Sequence, residues 1–137
     1  MTGPEIAPAV RALIAERVHG FEQLEALLFL HARPGDDCSA EAVAAGLRIA
    51  DGAAVDALED LVARGLAGAQ PGPPRTYRFD PHTPELRAAV SALARAYADQ
   101  RLAVMKLMSE NAIVRLRSGA TRAFADSFLI GRKKDGR

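Results

Sequence analysis

The residues of this chain best suited to catalysis or metal binding are three histidines and one cysteine. His19, His31 and His82 are scattered along the chain without the spacing of a metal-ligand set. Cys38 directly follows two aspartates, whose negative charges should raise the pKa of the thiol and make it less reactive. The nucleophile, phosphate-loop and dinucleotide-binding motifs of enzymes do not occur in the sequence. The sequence therefore predicts no catalytic activity, no metal site and no cofactor.

The composition predicts a mostly helical globular protein. Of the 137 residues, 49% are hydrophobic and 26% are charged, which is ordinary for a soluble domain. Aromatic residues make up only 5%, with no tryptophan, so the apolar mass is alanine, leucine and valine, which suit closely packed helices. The length fits one domain with a substantial core and an added helical arm.

The net charge of +1 conceals a gradient along the chain. Residues 1–65 hold 5 arginines and 11 acidic residues, a net charge of −6. Residues 66–110 hold 6 basic and 4 acidic residues, a net charge of +2, and residues 111–137 hold 7 basic and 2 acidic residues, a net charge of +5. This asymmetry indicates that an anionic partner would bind towards the C-terminal part of the chain.

Neither a targeting signal nor a membrane span is predicted. The N-terminus lacks a basic segment followed by an unbroken apolar run. The longest apolar run, from Ala26 to Leu30, is far short of the roughly 20 residues that cross a bilayer. A single cysteine rules out an internal disulfide. We therefore expect a cytoplasmic protein without a membrane partner.

Apolar residues at helical spacing predict two helices before residue 33, over residues 5–18 and 21–32. His31 lies on the apolar stripe of the second helix, where we expect a hydrogen-bonded residue at the edge of the core. Ser39 is a good N-cap for a third helix over Ala40–Leu47. Gly65 should end a fourth helix, from Asp51 to Arg64, in the left-handed conformation.

The fourth helix is followed by a strand pattern. Residues 66–70 and 75–79 flank a breaker of three prolines and one glycine, and Tyr77 and Phe79 alternate with polar residues, which is typical of a half-buried hairpin. The inward stripe of the fourth helix is predicted to be Val55, Leu58, Leu61 and Val62. Its outward residues are then Ala53, Asp56, Asp60 and Ala63.

A long helix is predicted from Pro84 to about Met108, with Thr83 as its N-cap. Its length would be about 38 Å at 1.5 Å per residue, more than this small domain can cover, so we expect a helix of a second copy to pack on it. The predicted dimerisation residues repeat at alternating steps of four and three, as in a heptad seam; they are Leu86, Val90, Leu93, Tyr97, Gln100, Val104 and Leu107. A break at residues 109–111 and a last helix over residues 112–130 should follow.

Three segments together resemble the winged helix-turn-helix regulators of bacteria, in particular the broad MarR-like group. They are residues 43–49 (VAAGLRI), 58–66 (LEDLVARGL) and 75–79 (RTYRF). The resemblance implies a mainly α fold: a winged helix-turn-helix with a two-stranded β wing, extended by a long C-terminal dimerisation helix and a further helix. We accordingly divide the chain into a winged helix-turn-helix domain (residues 1–82), a helical dimerisation arm (83–130) and a basic tail (131–137).

The function that this resemblance implies is that of a dimeric transcriptional regulator that binds double-stranded DNA. In such folds the second helix of the motif enters the major groove and the wing contacts the flanking backbone. Arg75 and Arg78 on the wing strand, and Arg48 in the turn, would then neutralise phosphates. Ser39 would donate to a phosphate from the start of its helix.

The charge of the fourth helix favours an alternative. Its exposed face offers Asp56, Glu59 and Asp60, whereas bases are mostly read by basic, amide or hydroxyl side chains, and carboxylates repel phosphates. The acidic helix, residues 51–64, could instead dock on a basic protein partner, which would make the chain a protein-interaction module. The basic tail fits either an electrostatic arm or a solubilising end.

Overall fold

The computed structural model describes residues 6–135, with side chains through residue 119. Six helices and three short strands make up this part of the chain. In chain order they are α1 (Pro8–Glu16), α2 (Phe21–His31), β1 (Cys38–Ser39), α3 (Ala40–Leu47), α4 (Asp51–Ala63), β2 (Ala67–Gln70), β3 (Thr76–Phe79), α5 (Pro84–Asp99) and α6 (Arg101–Asp135).

Helix α2 lies at the centre of the core. It contacts α3, α4, α5 and β3, and its leucines Leu24, Leu27 and Leu30 are completely buried. Leu58 and Leu61 of α4 are buried in the same hydrophobic cluster. Because α2 touches both helices of the helix-turn-helix and the sheet, it fixes their relative positions.

The start of α3 and the end of α4 are formed by the residues that the sequence predicts, whereas Asp51 is the first residue of α4 and not its N-cap, which is Ala50 without a side-chain hydrogen bond. The hydroxyl of Ser39 accepts a hydrogen bond from the backbone N–H of Ala42, at 3.1 Å. Gly65 has φ +79°. The N–H of Gly65 donates to the carbonyl of Val62 and that of Leu66 donates to Leu61, which is the Schellman arrangement of a helix C-terminus. The buried Leu66 thereby leads the chain from α4 into β2.

The predicted two-stranded wing is present, and a third strand extends its sheet. Strands β2 and β3 are antiparallel, with Ala67 opposite Phe79 and Gln70 opposite Thr76. The sheet order is β1-β3-β2, because Cys38 and Ser39 pair with Tyr77 and Thr76 on the other edge of β3. A two-residue strand is too short to show period-2 patterning, so β1 was not predictable from the sequence. The pairing links the start of α3 directly to the wing.

The predicted inward stripe of α4 is wrong at Val55. The buried residues of this helix are Ala54, Ala57, Leu58 and Leu61, whereas Val55 is 40% exposed. Helix α4 packs closely against α2 and α3, and such close approach selects small alanine side chains over a β-branched valine. Helix α4 is therefore rotated about its axis relative to the predicted orientation, and Val55 lies on its outer surface.

The predicted single helix over residues 84–108 is also wrong, because it breaks at Gln100. Helix α5 ends at Asp99 and α6 begins at Arg101. The break costs little hydrogen bonding, since Gln100 donates its N–H to Ala96 and accepts from the N–H of Val104. It allows Val104 and Met108 to be buried against the body of the protein.

The break also divides the predicted dimerisation seam. Val90, Leu93 and Val104 are completely buried within their own chain, so they are not available to a partner helix. Leu86, Tyr97 and Leu107 are partly buried against the same core. The predicted second break at residues 109–111 is absent, because α6 is continuous through that region.

The C-terminal helices are held to the rest of the chain by α1. Helix α1 contacts both α5 and α6, and the Arg115 guanidinium of α6 donates to the carbonyl of His19 at 3.0 Å. The division of the chain at residue 82 stays a prediction. The last two residues of the predicted basic tail lie outside the described residues. Among the helices described, none is both long enough and apolar enough to cross a membrane.

The end of α4 generates a stability prediction. Gly65→Ala should lower the free energy of unfolding by about 1–2 kcal/mol, because an L-residue is strained at positive φ. A Cβ at this position would also lie 2.8 Å from Nδ1 of His82. Gly52→Ala is the matched control: no atom lies within 4 Å of its added Cβ, so it should be neutral or stabilise by about 0.4–1 kcal/mol. Urea denaturation of both variants measures the difference, and a Gly65→Ala variant as stable as Gly52→Ala would contradict it.

Candidate nucleic-acid interface

A concave surface lies between the start of α3, the outer face of α4 and the wing hairpin β2–β3. It encloses about 320 Å³. We call it the wing groove; the residues lining it are Ser39, Ala40, Glu41, Val55, Glu59, Pro74, Arg75 and Tyr77. Two features of the fold create it. The orientation of α4 exposes Val55 on the side of the wing, and the pairing of β1 with β3 brings the start of α3 beside the wing.

The carboxylate of Glu59 accepts hydrogen bonds from two other side chains that line the wing groove, Arg75 and Tyr77. Arg75 donates from Nε to Oε2 at 2.6 Å and from Nη2 to Oε1 at 3.2 Å. The hydroxyl of Tyr77 also donates to Oε2. These three hydrogen bonds tie the outer face of α4 to the wing. The guanidinium also lies 5.6 Å from the centroid of the Tyr77 ring, within cation–π range.

The ionisation of these three side chains follows from their contacts. The hydrogen bonds from Arg75 and then Tyr77 lower the pKa of Glu59, so its negative charge is favoured. Burial and the bond to Glu59 raise the pKa of Tyr77, which keeps the phenol protonated as a donor. The positive charge of Arg75 therefore offsets the negative charge of Glu59 within the groove.

The other predicted wing arginine is paired in the same way. Arg78 donates from Nε to Oδ1 of Asp37 at 2.8 Å and from Nη2 to Oδ2 at 3.0 Å. This bond to Arg78 lowers the pKa of Asp37. The pair connects β3 to the loop before β1, outside the wing groove. Both wing arginines thus have carboxylate partners, which the sequence does not reveal because the partners lie 16 and 41 residues away.

The two remaining predicted contacts are differently placed. Ser39 lines the wing groove, and because its oxygen accepts the capping hydrogen bond, its O–H is left to donate. Arg48 does not line the groove. It is exposed at the C-cap of α3 with φ 61°, and its side chain makes no hydrogen bond or salt bridge to the described part of the chain. Of the four predicted DNA contacts, the structure therefore brings Ser39 and Arg75 together.

Three acidic residues of α4 line two separate hollows. Glu59 and Val55 face the wing groove. Asp56 and Asp60 instead line a separate hollow of about 640 Å³ beside the α1–α2 turn, with His19 and Phe21 on its other side. At about 100° per residue, Asp56 and Glu59, which are three residues apart, still lie only about 60° from each other around the helix. The three acidic residues therefore share one side of α4, and the one that lines the wing groove is paired with Arg75.

Of the residues whose side chains could serve in catalysis, His31 has a hydrogen-bond partner and Cys38 is buried. Nε2 of His31 lies 3.2 Å from the Ser91 hydroxyl, as expected for a hydrogen-bonded residue at the edge of the core. Cys38 is buried, and that burial, reinforced by the neighbouring aspartates, raises the pKa of its thiol despite an opposing effect of Arg33. Within the described residues, no three histidine, cysteine or acidic side chains are grouped to hold a metal ion.

In sequence, the chain matches no protein-family model and no curated protein. In structure, it is similar to winged-helix and MarR-family regulators. Reduced HlyU from Vibrio cholerae superimposes with a TM-score of 0.50 at 19% identity, over 65% of this chain and 90% of that chain. A MarR family transcription regulator superimposes with a TM-score of 0.50 at 21% identity, over 86% and 80%.

A mutant of S. aureus MepR, solved bound to an oligodeoxyribonucleotide, superimposes with a TM-score of 0.52 at 16% identity, over 86% of each chain. At these identities the similarity is one of fold. It confirms the winged helix-turn-helix predicted from the sequence and the resemblance to MarR-like regulators at that level.

The Glu59 network generates a pH prediction. Because the folded pKa of Glu59 is lowered, its contribution to stability is present above the usual glutamate pKa of about 4.3. That contribution is lost as the pH falls through the lower folded value. Glu59→Gln should therefore melt below wild type at pH 7, and the difference should shrink towards pH 3. Thermal unfolding across this range measures it. A gap that is constant with pH would contradict the prediction.

Proposed function

We propose that this chain is a dimeric DNA-binding protein that regulates transcription, with the wing groove placed against duplex DNA. The observation that carries the proposal is the convergence of Ser39, Arg75 and the exposed face of α4 on one concave surface. In winged-helix proteins that surface comprises the helix entering the major groove and the hairpin beside it. The fold shared with DNA-bound MepR supports the same placement.

The phosphate contacts are proposed to differ in strength. Arg48 is exposed and has no carboxylate partner among the described residues, so its full charge is available to a phosphate. Before Arg75 or Arg78 binds a phosphate, its guanidinium must leave its carboxylate partner or be shared between the carboxylate and the phosphate. The net positive charge that each of these pairs brings to DNA is therefore smaller than that of Arg48. Ser39 adds one neutral hydrogen bond.

The protein-interaction alternative loses its main support. It depends on the acidic face of α4, and one of the three carboxylates of that face, Glu59, is already paired with Arg75 of the same chain. No comparison points to a protein partner for this helix.

The DNA proposal is tested by binding to random-sequence duplexes over a range of salt concentrations. Arg48→Ala should weaken binding to all sequences alike and reduce the slope of log K against log salt by about 0.9, since one phosphate contact is lost. Arg95→Ala, an equal change of charge on α5, should leave the slope unchanged, because α5 packs on α1, α2 and α6. Absence of salt-dependent binding at micromolar wild-type protein would overturn the proposed function.

The dimer is proposed to form through the outer face of α6 rather than through the predicted heptad seam. Leu102, Ile113 and Leu116 are 80%, 49% and 72% exposed. At about 100° per residue these three side chains fall within an arc of about 60° around the helix, so they lie on one face. With 35 residues, α6 is about 52 Å long at 1.5 Å per residue, which gives this apolar face room to pack against the same face of a second copy.

Light scattering tests the dimer. Wild type should have twice the chain mass of 14.6 kDa, and Leu116→Arg should be monomeric yet folded, because the residue is mostly exposed. Val114→Arg is the matched control: Val114 is also exposed, at 58%, but it lies about 120° around the helix from Leu102, so the variant should stay dimeric. A monomeric wild type would overturn the dimer, and a dimeric Leu116→Arg would place the interface elsewhere.

A further inference from the structure

Val55 and Glu59 are the two side chains of α4 that line the wing groove. We propose that they read bases in the major groove: Glu59 accepts a hydrogen bond from the amino group of a cytosine, and Val55 contacts the methyl group of a thymine about two base-pair steps away. This inference rests on the proposed DNA-binding function and assigns its sequence specificity. It concerns two residues that the sequence pattern did not single out as DNA contacts.

The position of the two side chains suits base reading. Val55 is 40% exposed, and the Glu59 side chain is 42% exposed although it is hydrogen-bonded. They are four residues apart on one helix face, about 6 Å along the axis at 1.5 Å per residue. Two base-pair steps at about 3.4 Å each span a similar distance. The pair can therefore contact bases two steps apart.

The hydrogen bonds of Glu59 leave it one place to accept another. A carboxylate has about four acceptor positions. Arg75 and Tyr77 occupy two on Oε2, and Arg75 occupies one on Oε1. The remaining position on Oε1 can accept one donor from a base edge. The same bonds hold the carboxylate in a fixed orientation, which a freely rotating glutamate would have to adopt on binding.

The chemistry of base edges selects cytosine. In the major groove, guanine presents two acceptors and thymine presents one, and all of these repel a carboxylate. Adenine presents an amino donor beside the N7 acceptor, whereas cytosine presents its amino donor without a neighbouring acceptor. Arg75 offsets the charge of Glu59. This reduces the repulsion from phosphates that would otherwise keep a carboxylate out of the major groove of the DNA.

Val55 has an equally defined partner. An apolar side chain distinguishes thymine through the C5-methyl group, the only apolar group that the base edges present in the major groove. The two valine methyl groups have no polar atoms to satisfy, so contact with the thymine methyl removes apolar surface from water on both sides. Asp56 and Asp60 line the other hollow, and the proposal assigns them no base contact.

Selection of sites from a randomised duplex library tests the role of Glu59. Wild type should enrich a site that contains a cytosine with a thymine about two steps away. Glu59→Gln should change the preference at the cytosine position to adenine, because glutamine pairs with adenine N6 and N7, and should bind the original site roughly tenfold more weakly. Asp60→Asn, the same acid-to-amide change at the neighbouring residue, should keep the wild-type preference.

Deoxyuridine in place of the selected thymine tests Val55 without altering the protein. It removes only the methyl group, so wild type should lose roughly fourfold in affinity, the worth of one buried methyl or methylene group. Val55→Ala should bind the thymine and deoxyuridine sites nearly equally. This experiment remains informative even if the Glu59→Gln substitution disturbs the wing, because it uses the wild-type protein and Val55→Ala.

Four results would overturn the inference. An unchanged base preference in folded Glu59→Gln would remove the role of Glu59, and equal wild-type affinity for thymine and deoxyuridine would remove that of Val55. Salt-dependent binding without any base preference would refute the inference while leaving the proposed DNA binding intact. A complete lack of DNA binding would overturn both.

Discussion

The hydrogen bonds of the Glu59 carboxylate connect the two parts of the candidate interface. Arg75 and Tyr77 come from the wing and Glu59 from α4, so one carboxylate fixes the distance between the hairpin and the helix. The short pairing of Cys38 and Ser39 with β3 adds the start of α3 to the same unit. Without the arginine, the groove would be lined by two carboxylates, Glu41 and Glu59, with no basic side chain of its lining to offset either charge. Without the carboxylate, the wing would have no polar anchor on α4.

This arrangement explains how an acidic helix can belong to a DNA-binding fold. The sequence shows several carboxylates along α4, and treated as one face they argue against contact with phosphates. In the structure Asp56 and Asp60 line one hollow and Glu59 lines another, and the charge of Glu59 is neutralised by a partner from another element. Charge counted along a helix is therefore a poor measure of the charge that a ligand meets.

The parts of the fold that the sequence predicts are those specified by local chemistry. The capping hydroxyl of Ser39, the positive φ of Gly65 and the alternation of Tyr77 and Phe79 each act within a few residues, and each has the expected role. The rotation of Val55, the break at Gln100 and the pairing of Glu59 depend on neighbours distant in sequence. Periodicity cannot locate a break that contains no proline or glycine and is driven by burial of Val104 and Met108.

The break at Gln100 makes the direction of α6 independent of that of α5. Its direction is set by a single joint residue, by the packing of Val104 and Met108, and by the bond from Arg115 to His19. For a helix about 52 Å long at 1.5 Å per residue, each degree of rotation at this joint moves the far end by about 0.9 Å. In the proposed dimer, the separation of the two α4 helices would then be adjusted by side chains buried far from the DNA. Changes of one methylene group in the core could alter which half-site spacing fits, while the groove that reads the bases stays the same.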